Sequence, residues 1–170
     1  MRRALWLTVV LLTATVSFAD DVGVTKLNLD EISPATGDVS AGQPSREQLG
    51  RLAQEGYVAV IDLRGEGESR GYDEPAAATE SGLEYTPLPI ASADDINVEN
   101  ARRLGELLDS YDGPVVVHCG SGNRVGALVA LLEADRGASA EDALEAGREA
   151  GLTRLEDLVK DRLEADDGGN

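Results

Sequence analysis

Apolar residues along the chain fall into short continuous runs that alternate with runs of helical period. Continuous runs rich in β-branched residues predict strands buried on both faces. The two clearest are YVAVIDL (57–63) and VVVH (115–118), and shorter strand candidates lie in DVSAGQPS (38–45) and LEYTPLPI (83–90). These runs predict a sheet of at least four strands.

Helical patterns occupy the intervals between the strands and continue after the last one. Ser45, Ser139 and Thr153 each precede Gln, Asp or Glu by three residues, as in a capping box at a helix start. The predicted helices are SREQLGRLAQEG (45–56), PAAATESG (75–82), VENARRLGELLDS (98–110), RVGALVALLEADRG (124–137), SAEDALEAGREAG (139–151) and TRLEDLVKDRLEA (153–165).

The alternation of strands and helices predicts an α/β fold with a central, mostly parallel sheet flanked by helices. A chain of 170 residues fits one such domain. We expect a signal peptide at 1–19, a lead-in at 20–35, the domain at 36–165 and a flexible tail at 166–170.

The first residues follow the three-part pattern of a secretory signal. Arg2 and Arg3 precede an apolar run at 4–12, and small residues end at Ala19, where we expect cleavage. An uncleaved anchor is the alternative, but the run is shorter than the ~20 apolar residues that span a bilayer. We therefore expect a periplasmic or secreted protein that does not associate with membranes after cleavage.

Composition narrows the class of partner and the kind of site. The formal net charge of -17 disfavours nucleic acid and anionic lipid, both of which need a basic face. With one histidine and one cysteine in the chain, the sequence predicts no metal site and no cofactor. Oligomeric state is left open.

The candidate chemistry lies in VVVHCGSGNRVGAL (115–128), where the last predicted strand meets a helix. In a parallel sheet, ligands bind beyond the carboxyl ends of the strands, at helix N-termini. Cys119 is then a candidate nucleophile, since a helix N-terminus and nearby cations favour the thiolate. Arg124 supplies a planar fork for an oxyanion, and His118 is a candidate supporting residue. Backbone amides expected to face the anion belong to Gly120, Ser121, Gly122 and Asn123.

These residues resemble the signature His-Cys-x-x-Gly-x-x-Arg-Ser/Thr of the dual-specificity and tyrosine phosphatases. The chain is more similar to the bacterial β-lactamase-hydrolase-like, phosphatase-like domains, from SAGQPS through VIDLR and YTPLPI to the cysteine loop. The resemblance implies that Cys119 attacks a phosphate ester and forms a phosphocysteine. It also implies that Arg124 and the loop amides hold the phosphoryl group of a small-molecule or protein substrate.

By the same resemblance, an aspartate of SADDIN (92–97) protonates the leaving group. Asp94 and Asp95 are the candidates, and the alternative is that one of them caps the helix at 98–110. Asp62 and Arg64, at the end of a predicted strand, are expected to form a structural ion pair.

Two departures from the phosphatase signature keep other functions open. Cys119 and Arg124 enclose four residues instead of five, and Val125 replaces the hydroxyl residue that assists breakdown of the phosphoenzyme. Four-residue loops also resemble rhodaneses, in which the cysteine carries a persulfide. The alternatives are therefore a persulfide carrier or sulfurtransferase, and a non-catalytic phosphate-binding module.

Overall fold

The computed structural model describes residues 22–167, with side chains through residue 165. All strand pairs are parallel, and the sheet has the order β1-β2-β5-β3-β4. The strands are β1 Thr25–Lys26, β2 Val39–Ala41, β3 Ala59–Asp62, β4 Glu84–Pro87 and β5 Val115–His118. The predicted α/β class is confirmed, whereas the predicted signal peptide at 1–19 lies outside the described residues.

Six α-helices accompany the sheet in the described part of the chain. They are α1 Arg46–Gln54, α2 Glu74–Glu80, α3 Val98–Asp109, α4 Asn123–Asp135, α5 Ala140–Glu149 and α6 Glu156–Asp167, with 3-10 turns at Leu29–Glu31 and Ala93–Asp95. Between residues 22 and 167, no helix combines the length and the apolar character needed to cross a membrane.

Successive residues of the central strands contribute to two separate apolar clusters, one on each face of the sheet. Val60 and Val116 belong to the cluster that α1 and α2 cover. Ile61 and Val117 belong to the larger cluster that α3, α4, α5 and α6 cover, and Cys119 packs within it. The thiol therefore lies on the face covered by the later helices.

Local capping signals locate two helices correctly but not the last one. The Ser45 capping box and the Ser139 cap are both present, at the starts of α1 and α5. However, α6 begins at Glu156 because the Thr153 amide and hydroxyl bond to Asn123 instead of capping the helix. The stretch predicted as a lead-in contributes strand β1, and the backbone of α6 extends into the predicted tail as far as Asp167.

Candidate active site

The cysteine loop joins the central strand β5 to the helix α4. Cys119 is 1% exposed, and its Sγ accepts a hydrogen bond from the Gly122 N–H at 3.1 Å. Gly122 has φ 84°, a left-handed conformation that glycine adopts without strain and that turns the chain into α4. An isolated bridge to Gly42 holds Ser121 from the side of β2. The thiol is thus placed at a helix N-terminus and is nearly closed to solvent.

Arg124 lies in the first turn of α4 and is held by a carboxylate from the loop after β3. Its Nη1 and Nη2 donate to the two oxygens of Glu68 at 2.5 and 2.8 Å, and Nη1 also donates to the Ile90 carbonyl at 2.8 Å. The hydrogen bonds with Glu68 raise the pKa of Arg124, and they lower the pKa of Glu68 to about 2. Both side chains are therefore charged at neutral pH.

These contacts use three of the five N–H donors of the guanidinium. The donors left are Nε–H and one N–H of Nη2, which lie on one edge of the group and can bind an oxyanion in a bidentate manner. A Cβ built on Gly120 would lie 3.9 Å from Nη2, so the guanidinium approaches the cysteine loop. Glu68 thus holds Arg124 in place and leaves two guanidinium N–H donors that can bind an anion.

A cleft of about 380 Å³ opens beside this ion pair. One end is charged and the remainder is mainly apolar, a combination suited to a ligand with an anionic head and an uncharged body. The lining residues are Glu68, Ile90, Ala91, Ser92, Ala93, Ile96, Arg124 and Leu155.

The two candidate acids occupy the 3-10 turn at the edge of this cleft. Asp95 accepts from the amides of Ala91 and Ser92 at 2.9 and 2.8 Å, and these bonds, led by that of Ser92, lower its pKa. Asp94 is 97% exposed, with Oδ1 3.7 Å from Arg162 Nη2. Asp95 thus shapes the turn, whereas the carboxyl group of Asp94 is accessible.

Neither aspartate caps the helix at 98–110, contrary to the alternative considered from sequence. Asn97 is the N-cap of α3, and its side chain accepts from the Asn100 amide. The turn places Asp94 and Asp95 before this cap, too early to reach the first amides of the helix.

His118 belongs to a buried polar cluster on the opposite face of the sheet from Cys119. Its Nε2 lies 2.8 Å from Glu74 Oε1, and its Nδ1 lies 3.4 Å from the Cys119 carbonyl. Arg64 pairs with both Asp62 and Glu74, which confirms the ion pair predicted at this strand end. Burial opposes ionisation of Asp62, but the neighbouring groups, led by the hydrogen-bonded side chain of Arg64, together outweigh burial and lower the pKa of Asp62. The cluster ties the end of β5 to β3 and α2.

Asp62, Glu74 and His118 also bring three potential metal ligands within 4.8 Å, a grouping that sequence reasoning missed. Arg64 and Arg70 already bind the carboxylates of this group. A cation placed there would lie against two guanidinium groups, so the arrangement fits a charge network better than a metal site.

The side chain of Asn123 makes a contact that the sequence did not indicate. Its side chain accepts from the Thr153 amide at 2.8 Å and from the Thr153 hydroxyl at 3.1 Å. Of the groups of Asn123, only the backbone amide therefore remains a candidate donor to an anion, together with the amides of Gly120 and Ser121. The Gly122 amide already donates to the thiol.

A cysteine loop between a parallel strand and a helix, in a sheet covered by helices on both faces, is the arrangement that the resemblance to the dual-specificity and tyrosine phosphatases predicts. The family model described as a DSP-PTPase phosphatase fused to NAD+ kinase matches residues 28–162. The chain belongs to this family, and the resemblance inferred from its motifs is confirmed.

The curated relatives match the second resemblance, which is to the bacterial β-lactamase-hydrolase-like proteins. The chain is 34% identical over 110 residues to the beta-lactamase hydrolase-like protein of Xylella fastidiosa, a match that covers 62% of this chain and 25% of that protein. It thus spans about a quarter of the length of the curated relatives it matches.

Solved structures show the same fold. A candidate phosphatase from Neisseria meningitidis superposes with a TM-score of 0.65 at 22% identity, over 82% of this chain and 96% of that one. Tk-PTP, crystallised in its active form, superposes with a TM-score of 0.53 at 25% identity, over 74% of this chain and 90% of that one.

Proposed function

We propose that the protein is an exported, cysteine-dependent phosphatase that hydrolyses phosphate monoesters through a phosphocysteine at Cys119. The observation that carries this proposal is the placement of Cys119 on the loop before α4 and of Arg124 in the first turn of that helix. The substrate is a phosphorylated small molecule or protein, and the enzyme acts in the periplasm or outside the cell.

In the first step, the Cys119 thiolate attacks phosphorus and the bond to the leaving oxygen breaks. The free edge of Arg124 and the loop amides hold the phosphoryl oxygens, which stabilises the charge that develops on them. Asp94, whose carboxyl group is accessible, acts as the general acid and gives the leaving oxygen its proton. Water then attacks the phosphocysteine and gives a proton to the Asp94 carboxylate, while the bond between sulfur and phosphorus breaks. The products are inorganic phosphate, the restored thiolate and the restored acid.

Val125 affects the second step. It is fully buried and offers no hydroxyl beside the loop, so nothing at this position assists the leaving thiolate. We expect breakdown of the phosphocysteine to limit turnover, with a burst of alcohol release before the steady state.

The test supplies an aryl phosphate to the purified protein and to Cys119→Ser, Asp94→Asn and Asp95→Asn. We expect no turnover in Cys119→Ser. In Asp94→Asn we expect a kcat/KM about 100-fold lower, because kcat/KM reports the first step even when phosphocysteine breakdown limits kcat. A phosphorylated cysteine should be detectable by mass spectrometry after rapid quenching. If Asp94→Asn retains the wild-type kcat/KM, the assignment of the acid is wrong.

A parallel assay with thiosulfate and cyanide addresses the four-residue loop, the feature that favours sulfur chemistry. Thiocyanate formation with a persulfide on Cys119, and no phosphate release, would replace the phosphatase proposal with a sulfurtransferase. Phosphate binding without either activity would indicate a binding module.

A further inference from the structure

The cysteine loop is braced by a segment from the last third of the chain. Asn123 is the first residue of α4, and its side chain is 8% exposed. Its Oδ1 accepts from the amide and the hydroxyl of Thr153, at 2.8 and 3.1 Å. The connector between α5 and α6 is thereby tied to the residue that precedes Arg124.

The same connector packs directly against the backbone of the loop and of α4. A Cβ built on Gly151 would lie 3.5 Å from the Gly122 carbonyl oxygen. A Cβ on Gly126 would lie 2.2 Å from the Leu152 amide nitrogen, so only glycine fits there. The connector therefore packs closely against the end of the loop at Gly122 and against the first turn of α4.

The connector then reaches the cleft. Leu155 lines the cleft together with Arg124, and its amide nitrogen lies 3.5 Å from Asn123 Oδ1. The Asn123 side-chain oxygen thus joins the start of α4 to the segment that contributes Leu155 to the cleft.

We propose that Asn123 is a positioning residue for the reaction at Cys119. Its side chain does not touch the substrate; it fixes the first turn of α4 relative to the connector, and so fixes Arg124 relative to the thiol and to Leu155. Such precision matters because displacement of a binding group by about 1 Å can cost 100-fold in rate. The kinetic consequence rests on the proposed phosphatase function, whereas the bracing itself does not.

The test compares four variants by amide hydrogen exchange, urea unfolding and steady-state kinetics with an aryl phosphate. Asn123→Ala removes the brace, Thr153→Val removes only its hydroxyl donor, and Asn123→Asp keeps an acceptor oxygen in the same place. Ser139→Ala is the matched control, because it removes the cap of α5 and lowers stability away from the site.

In Asn123→Ala we expect amide exchange in residues 119–124 to rise about tenfold, the effect of losing two neutral hydrogen bonds. We expect kcat/KM to fall by at least about tenfold. Thr153→Val should have an exchange rate in these residues and a kcat/KM between those of Asn123→Ala and the wild type. Asn123→Asp should restore the protection of these amides from exchange. Ser139→Ala should change neither the loop exchange nor kcat/KM.

Two results would overturn the positioning role. One is loop exchange in Asn123→Ala that equals the wild type, and the other is the same exchange pattern in Ser139→Ala, which would indicate a general loss of stability. If the wild type releases no phosphate, the phosphatase proposal fails, and the exchange data still decide whether Asn123 braces the loop.

Discussion

Replacing Glu68 with Gln tests the ion pair that holds Arg124. The substitution keeps the size of the side chain but removes its charge from a pair in which Arg124 is 20% exposed and Glu68 is 40% exposed. One acceptor oxygen remains, so an amide group then faces one of the two donating nitrogens of Arg124. The variant therefore tests the contribution of the Glu68 charge to stability separately from that of its side-chain size.

The magnitude follows from the pKa of Glu68, which the hydrogen bonds from Arg124 lower from 4.5 to about 2. A carboxyl group with a lowered folded-state pKa stabilises the protein above its unfolded-state pKa, and this contribution is lost as the pH falls through the folded-state value. Unscreened, the shift corresponds to about 3 kcal/mol. Solvent screening of an exposed carboxylate reduces the expected contribution to about 1 kcal/mol.

We therefore expect Glu68→Gln to lower the free energy of unfolding by about 1 kcal/mol at pH 7. The difference from the wild type should shrink as the pH falls from 4.5 towards 2. The measurement is urea unfolding at several pH values, with Glu66→Gln as the control because Glu66 is an exposed glutamate of the same loop. Equal stability of the two variants at neutral pH, or a difference that does not change with pH, would refute the reasoning.

Three further substitutions, one of them with a matched control variant, test the site and the packing around it. Arg124→Lys should lower kcat/KM for an aryl phosphate about 100-fold, since lysine lacks the planar fork; a change under about threefold would contradict this. Asp62→Asn should cost about 3 kcal/mol in urea unfolding, because it leaves the buried Arg64 without one of its two carboxylate partners. Gly126→Ala should lower the unfolding free energy by at least about 2 kcal/mol. Gly50→Ala is the control, because nothing lies within 4 Å of the new Cβ. It should leave the free energy of unfolding unchanged or raise it by up to about 1 kcal/mol. Similar losses of stability in the two variants would count against the close packing at Gly126.

Features that depend on neighbouring residues were predictable from the sequence. The Ser45 capping box needs only Gln48, three residues on, and the buried strand before Cys119 needs only its own apolar run. The order of strand, glycine loop and helix then locates the candidate nucleophile and Arg124. Short-range signals were sufficient for the fold class and for the position of the loop.

Features that depend on distant residues were not predictable. Glu68 binds Arg124 across 56 positions, and Thr153 binds Asn123 across 30, with no periodic pattern that links either pair. Thr153 even carries a misleading signal, since its spacing to Glu156 matches a capping box while its hydroxyl donates elsewhere. Tertiary hydrogen bonds outweighed the local pattern at this position.

The order of the sheet has a consequence for behaviour in concentrated solution. The outermost strands are β1, only two residues long, and β4, which ends at Pro87. Short strands present few unpaired backbone groups, and proline has no N–H to offer. Neither edge is a good template for a strand from another molecule, so we expect copies of the protein to resist edge-to-edge aggregation.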